Sequence, residues 1–147
     1  MTYVSNGLNR TNDLQLAYLL WSGTPSVNTH MTFSIDQELP TSFITSLTQT
    51  NTEINLPAGH YFAQAYTDYT RASISQNNQF AWFVNGSLSG HYGSSDYYAG
   101  SNTNDVAETA FTLNNAGTLR LKITGASGSA VTLNNPHCVC IIWRTEK

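Results

Sequence analysis

The stretch Leu56-Pro57-Ala58-Gly59-His60-Tyr61-Phe62-Ala63-Gln64-Ala65-Tyr66-Thr67-Asp68-Tyr69 decides how the rest of this chain is read. It opens with a turn. Proline fixes its own φ and glycine accepts a positive one, so Pro57-Ala58-Gly59 stops and redirects the backbone. A run of aromatic and small residues follows. In an extended strand Tyr61, Ala63, Ala65, Thr67 and Tyr69 share one face, and His60, Phe62, Gln64, Tyr66 and Asp68 share the other. A half-buried strand is apolar on one face and polar on the other. This one carries rings on both, so it belongs between a core and a second covering layer, such as another sheet or another subunit.

Working outward, the same two-sided character recurs at the C-terminus. His137-Cys138-Val139-Cys140-Ile141-Ile142-Trp143 is apolar front and back. As a sheet edge it would template aggregation, so it is expected inside a sheet with both sides covered. Elsewhere the strands are short and turn signals are frequent. Met31, Phe33 and Ile35 alternate with Thr32, Ser34 and Asp36. Phe43-Ile44-Thr45-Ser46-Leu47 reads as a further short segment. Phe80-Ala81-Trp82-Phe83-Val84, Asn85-Gly86 and Ser87-Leu88-Ser89 form the strongest local signal, a hairpin on a type I′ turn. Residues 90–104 read as one long Gly/Ser/Tyr/Asn loop. Glu108 to Leu113 resumes a strand, and Leu119, Leu121 and Ile123 alternate with Thr118, Arg120, Lys122 and Thr124. The run from Leu14 to Trp21 is a helix or a strand by its composition, and the early Ser22-Gly23-Thr24-Pro25 stop favours strand. No helix is predicted. The fold class is all-β, an antiparallel β-sandwich.

The composition narrows function. The chain has 147 residues, enough for one domain with its own core. Only 10% are charged, far below the usual quarter or so, so the surface is built from Ser, Thr, Asn, Gln and Gly. A net charge of -3 with six scattered cations excludes the cationic stripe that nucleic acid or an acidic membrane requires. No run approaches the ~20 apolar residues of a membrane-spanning helix, so membrane insertion is not expected. The first residues lack the charged head and apolar run of a signal peptide, so synthesis in a cytoplasm without the usual export is expected. Cys138 and Cys140 lie two apart. On a strand their Cα atoms are about 6.5–7 Å apart, at or past disulfide range, and they read as small buried hydrophobes.

The order of these features resembles the C1q/TNF-like jelly roll. Its Pro-x-Gly turn before an aromatic strand is matched by Pro57-Ala58-Gly59-His60-Tyr61-Phe62. Its strand into an Asn-Gly hairpin is matched by Phe83-Val84-Asn85-Gly86-Ser87. Its Gly-led alternating strand is matched by Gly117-Thr118-Leu119-Arg120-Leu121, and its closing strand by Val139-Cys140-Ile141-Ile142-Trp143. Met31-Thr32-Phe33-Ser34-Ile35 fits the first strand. The likeness covers residues 30–145. It implies a ten-strand sandwich that trimerises through an inner sheet holding the strands at residues 60–70, 119–124 and 138–143. It carries no collagen-like stalk and no catalytic signature. Such domains without signal or stalk look like bacteriophage virion proteins: capsid decoration proteins, head-fibre knobs and receptor-binding tips.

The expectations follow. Residues 1–28 form an N-terminal arm and attachment segment, with Tyr3, Val4, Leu8 and Arg10 meeting a major capsid protein or fibre shaft. Residues 29–147 form the jelly-roll domain. Tyr61, Phe62, Tyr66, Tyr69, Val139, Ile141 and Trp143 make the trimer interface. In residues 90–104, His91, Tyr92, Asp96, Tyr97 and Tyr98 are the candidate ligand loop. Their tyrosines either pack back on the sandwich or present the large, low-entropy contact area that suits a host-surface glycan. No HExxH, GxSxG, P-loop or CxxC occurs. Asp36 and Glu38 read as a solvated edge, and Asp96, Asp105 and Glu108 lack calcium-loop spacing. The chain is therefore read as a non-enzymatic, cofactor-free and metal-free virion protein. Capsid decoration is the first reading, and glycan recognition at a fibre tip or head fibre is the second.

Overall fold

A computed structural model describes residues 15–22, 30–35, 43–44, 51–70, 78–95, 102–126, 132–133 and 138–145, with side chains described over most of these. The described elements are strands: β1 Gln15–Ser22, β2 Thr32–Ile35, β3 Ile54–Leu56, β4 Gly59–Thr70, β5 Asn78–Val84, β6 Ser87–Ser95, β7 Asn102–Leu113, β8 Gly117–Ala126, β9 Thr132–Leu133 and β10 Val139–Thr145. Their pairings are antiparallel and follow one path, β2-β1-β10-β4-β7-β6-β5-β8-β3, with β9 pairing β4 beyond the end of β10. The path doubles back between β7 and β6. That makes two layers, β2-β1-β10-β4-β7 and β6-β5-β8-β3, whose inner faces share one core.

Aromatic side chains from the two layers meet in that core. Trp21 of β1 stands edge-on to Phe80 of β5, ring centres 5.6 Å apart. Phe33 of β2 stacks on Trp82 of β5 at 6.3 Å. Each indole N–H needs a partner once buried. Trp82 Nε1 donates to the Ala107 carbonyl across the sandwich at 2.9 Å, and Trp21 Nε1 donates to the Tyr66 carbonyl at 3.0 Å. Cys138 and Cys140 are free thiols in this core, where burial pushes the Cys140 thiol far up from its ordinary value.

Two glycine positions make the topology possible. Asn85 and Gly86 have φ of 49° and 79°, the left-handed pair a type I′ turn demands. Asn85 then braces the turn on β8, its Oδ1 accepting from the Thr118 N–H at 2.9 Å. Gly90 has φ of 86°. A Cβ there would overlap the Glu108 carbonyl oxygen and Thr109 of β7. Its bareness lets β6 approach β7 where the two layers join, beside the His91–Glu108 pairing.

Several expectations are corrected here. Residues 90–104 are not one loop: β6 runs to Ser95 and β7 starts at Asn102. Backbone pairing of Gln79 with Ser94 and Phe80 with Gly93 carries β6 where its side chains gave no apolar period. The strand at residues 119–124 is not in the layer with β4 and β10. It is β8, between β5 and β3. Leu119, Leu121 and Ile123 are fully buried while Thr118, Arg120, Lys122 and Thr124 are not, so it has one apolar face and needs one covering layer. The run at residues 15–22 is a strand of the sandwich, although it falls inside the 1–28 segment assigned to the arm. The closing strand does lie inside a sheet, between β1 and β4.

Candidate functional site

The pleat of β4 separates its rings. Tyr61, Ala63 and Ala65 point into the core and are at most 4% exposed. Phe62 and Tyr66 point away from it and are 37% and 39% exposed, with Gln64 half-buried between them. The neighbouring strands repeat the pattern. In β10, Cys140 and Ile142 are inward while Val139, Ile141 and Trp143 are half-buried on the outer side. In β1, Ala17, Leu19 and Trp21 are inward and Leu16, Tyr18 and Leu20 outward. Register lines these up across the sheet. Leu16, Trp143, Phe62 and Ala110 form one row, and Tyr18, Ile141, Gln64 and Glu108 form the next. Leu20 opposite Val139, and Tyr66 opposite Val106, continue the pattern. The Phe62 and Trp143 rings touch, centres 5.4 Å apart and tilted by 47°. The outer surface of this sheet is thus a broad apolar face, unusual for a surface facing water.

A small polar network interrupts it. Gln64 Nε2 donates to Glu108 Oε1 at 2.5 Å, and the Tyr66 hydroxyl donates to Gln64 Oε1 at 3.0 Å. At the lower margin His60 Nδ1 and Thr112 Oγ1 are 2.9 Å apart. There a shallow hollow of about 190 Å³ opens between His60, Phe62, Trp143 and Thr145. Arg144 lines it but turns to the core side. Its guanidinium donates to Gln15 Oε1 at 2.5 Å and to the Ala58 carbonyl at 2.8 Å, and it lies 6.0 Å from the centre of the Phe43 ring. Gly59 leaves room for it, since a Cβ there would stand 3.0 Å from Arg144 Nε. Tyr61 donates its hydroxyl to the Pro57 carbonyl at 2.6 Å, and burial pushes its phenol up from the ordinary value.

A second hollow, about 370 Å³, lies at the β3–β8 edge and is lined mainly by Phe43, Leu56, Pro57 and Ala116, with Asn55 and Thr118. It is apolar and contains no acid, base or thiol. Among the described residues no three His, Cys, Asp or Glu side chains gather as metal ligands. No helix among them is long and apolar enough to cross a membrane.

Of the residues expected at an interface, the fold brings together Phe62, Tyr66, Val139, Ile141 and Trp143 on one outer face. Tyr61 is corrected: it stacks on Phe111 within the sandwich, centres 5.1 Å apart. It cannot share a face with Phe62, because adjacent strand residues point opposite ways. Tyr69 pairs Thr103 and Leu133 through the backbone, and its side chain is outside the described residues. His91 and Tyr92 belong to β6, with side chains likewise outside. Asp96, Tyr97 and Tyr98, the arm residues Tyr3, Val4, Leu8 and Arg10, and the Asp36 and Glu38 pair also lie outside the described residues. Sequence reading missed Leu16, Tyr18 and Leu20, whose alternation with Ala17, Leu19 and Trp21 already marks a two-sided strand.

The sequence matches no family model and no curated protein. Solved structures do match in shape. Murine APRIL superposes with a TM-score of 0.62 at 10% identity, over 90% of this chain and 99% of that one. The Eiger TNF of S. frugiperda gives 0.61 at 13% identity over 91% and 93%. The globular domain of a zebrafish complement 1qA protein gives 0.62 at 8% identity over 90% and 97%. The fold is therefore an antiparallel jelly roll of the TNF/C1q type.

Proposed function

We propose that the protein is a homotrimer closed through the outer face of the β2-β1-β10-β4-β7 sheet, and that it works by binding rather than chemistry, as a decoration protein on a bacteriophage capsid. The observation that carries the assembly is the apolar outer face itself. Obligate interfaces resemble a domain core cut in half, and rows such as Leu16–Trp143–Phe62 have that character. The jelly-roll resemblance supports three copies. The charge-poor, Ser/Thr/Asn-rich composition supports a role at protein surfaces, and residues 1–14, with Tyr3, Val4, Leu8 and Arg10, supply the contact to the capsid or a fibre shaft. Virion localisation, the absence of cofactor or metal, and the absence of enzymatic activity are parts of the same proposal.

Two measurements test it. Native mass or light scattering of the purified chain is expected to give a trimer, and Ile141→Glu is expected to give a monomer. A wild-type chain that stays monomeric at micromolar concentration overturns the assembly. Capsids lacking the protein are expected to lose stability while still adsorbing to cells. Normal stability with lost adsorption would replace decoration by glycan recognition, which Tyr97→Ala with Tyr98→Ala would then localise.

A further inference from the structure

Resting on that assembly, we propose that the Gln64–Glu108 pair fixes how many copies associate and in what register, while the surrounding apolar side chains supply most of the attraction. The two residues face each other across β4 and β7, joined by the 2.5 Å bond. They sit in the row that Tyr18 and Ile141 share, flanked by the Phe62–Trp143 contact on one side and Tyr66 on the other. Apolar burial has no preferred direction. A face made only of Leu, Val, Ile and rings would be satisfied by two copies, by three, or by a slipped arrangement burying similar area.

A carboxylate and an amide are not so permissive. Glu108 accepts only, and a primary amide has two N–H donors. Within the described residues the subunit uses one Gln64 N–H for Glu108 and fills Gln64 Oε1 with the Tyr66 hydroxyl. Among the described contacts that leaves a second amide N–H and the second carboxylate oxygen to be matched once water is excluded; the side chain of His91, which pairs Glu108 from β6, is outside the described residues. A ring of identical copies presents the same pair again at each junction, so each Glu108 meets the remaining N–H of the next subunit's Gln64. Arrangements that miss this match bury a carboxylate without a donor and are disfavoured. Single polar groups in coiled-coil seams act the same way, specifying order at a cost in affinity.

Sedimentation velocity and native mass on three chains test this. The wild type is expected as one species of one order. Gln64→Leu with Glu108→Leu is expected to associate at least tenfold more tightly but as a mixture of orders. Glu108→Gln keeps the shape but turns one acceptor oxygen into an N–H donor, so donor meets donor at each junction and the single order is expected to be lost; a single trimer from this chain overturns the proposal. If the Leu pair precipitates, Gln64→Ala with Glu108→Ala decides by the same criterion, a mixture supporting the proposal. A wild-type trimer whose Leu or Ala pair is also a single trimer, or falls to monomer, overturns this proposal and leaves the assembly standing. A monomeric wild type overturns both.

Discussion

The two layers of the sandwich turn their inner faces to the same core and opposite chemistry to the outside. Outward from β1, β10 and β4 come Leu16, Tyr18, Ile141, Trp143 and Phe62. Outward from β8 and its neighbours come Thr118, Arg120 and Lys122, with Glu53 paired to Arg120 and the Lys122 ammonium 5.3 Å from the centre of the Phe83 ring. The second face holds its charges in small local contacts and suits water. Its one large exposed apolar side chain among the described residues is Leu88, 48% exposed. On the first face the polar contacts among the described residues are the Gln64, Glu108 and Tyr66 network and, at its margin, the His60–Thr112 pair, with Thr32 and Ser34 exposed on its edge strand β2. Two sheets folded from one chain under one pleat rule thus differ in whether a strand is apolar once or twice, and that difference is where association is to be sought.

The sharpest break of this comparison lies within one strand. Ile142 is fully buried in the core and its neighbour Ile141 faces outward. Ile142→Ala is expected to cost about 2–5 kcal/mol of folding stability, read as a urea midpoint that falls by the same amount at every protein concentration. Ile141→Ala is expected to change the isolated subunit by only about 0.5 kcal/mol, but its loss should depend strongly on dilution, because an interface contributes by mass action. Equal, concentration-independent losses for the two would erase the distinction between the faces.

The point where the layers join gives the next test. Gly90→Ala combines a left-handed φ with overlap against β7 and is expected to cost about 2–5 kcal/mol. Gly86→Ala meets nothing within 4 Å, so it pays only the conformational term, about 1–2 kcal/mol. Thermal or urea unfolding of both variants separates crowding from backbone strain. A Gly90 variant no worse than the Gly86 one would mean that β6 and β7 are not pressed together there.

Much of this was legible in the residues. Alternation around Tyr61, Phe62 and Ile141 marked two-sided strands, and Asn85-Gly86 marked its hairpin, because both signals are local. The alternation of Leu119, Leu121 and Ile123 with polar residues was just as local, and it marked β8 as one-sided. Placing that strand in the inner sheet came from the family resemblance, and counting it among the two-sided apolar strands as agreement overrode the one-sided alternation of its own residues. The β6 segment from Gly90 to Ser95 was illegible, since glycine and serine show no apolar period and its neighbours' ladders hold it. Which face of β4 is the outer one was also hidden, because Tyr61 and Phe62 are equally ring-bearing. The Gln64–Glu108 contact depends on pairing residues 44 apart in sequence, and no local pattern encodes that register.

On the solvated face, the Arg120–Glu53 ion pair offers a smaller effect. Its side chains are 36% and 16% exposed, and Arg120 Nε donates to Glu53 Oε2 at 2.6 Å. Arg120→Ala is expected to cost about 1 kcal/mol or less, diminishing in salt, with no change in subunit order. A change of order on this substitution would place an interface on the wrong sheet.

The smallest expected effect is a pH slope on the same face. His30 bridges to Lys122 through the backbone, and its Nδ1 is buried with no hydrogen-bond partner among the described residues. Burial lowers its pKa below the ordinary 6.5, and the Arg120 and Lys122 charges lower it further, with Glu53 opposing them. A lowered histidine stays neutral in the folded chain while the unfolded chain takes up a proton. Above pH 6.5 neither form is protonated and the group contributes no slope. As pH falls below 6.5 the unfolded state gains the proton first, so stability declines. His30→Gln is expected to flatten that part of the profile in urea unfolding, without altering the plateau above it. An unchanged slope in the variant would assign the decline to another group. A slope of opposite sign in the wild type would mean that Glu53 outweighs burial and both cations at this corner of the solvated sheet.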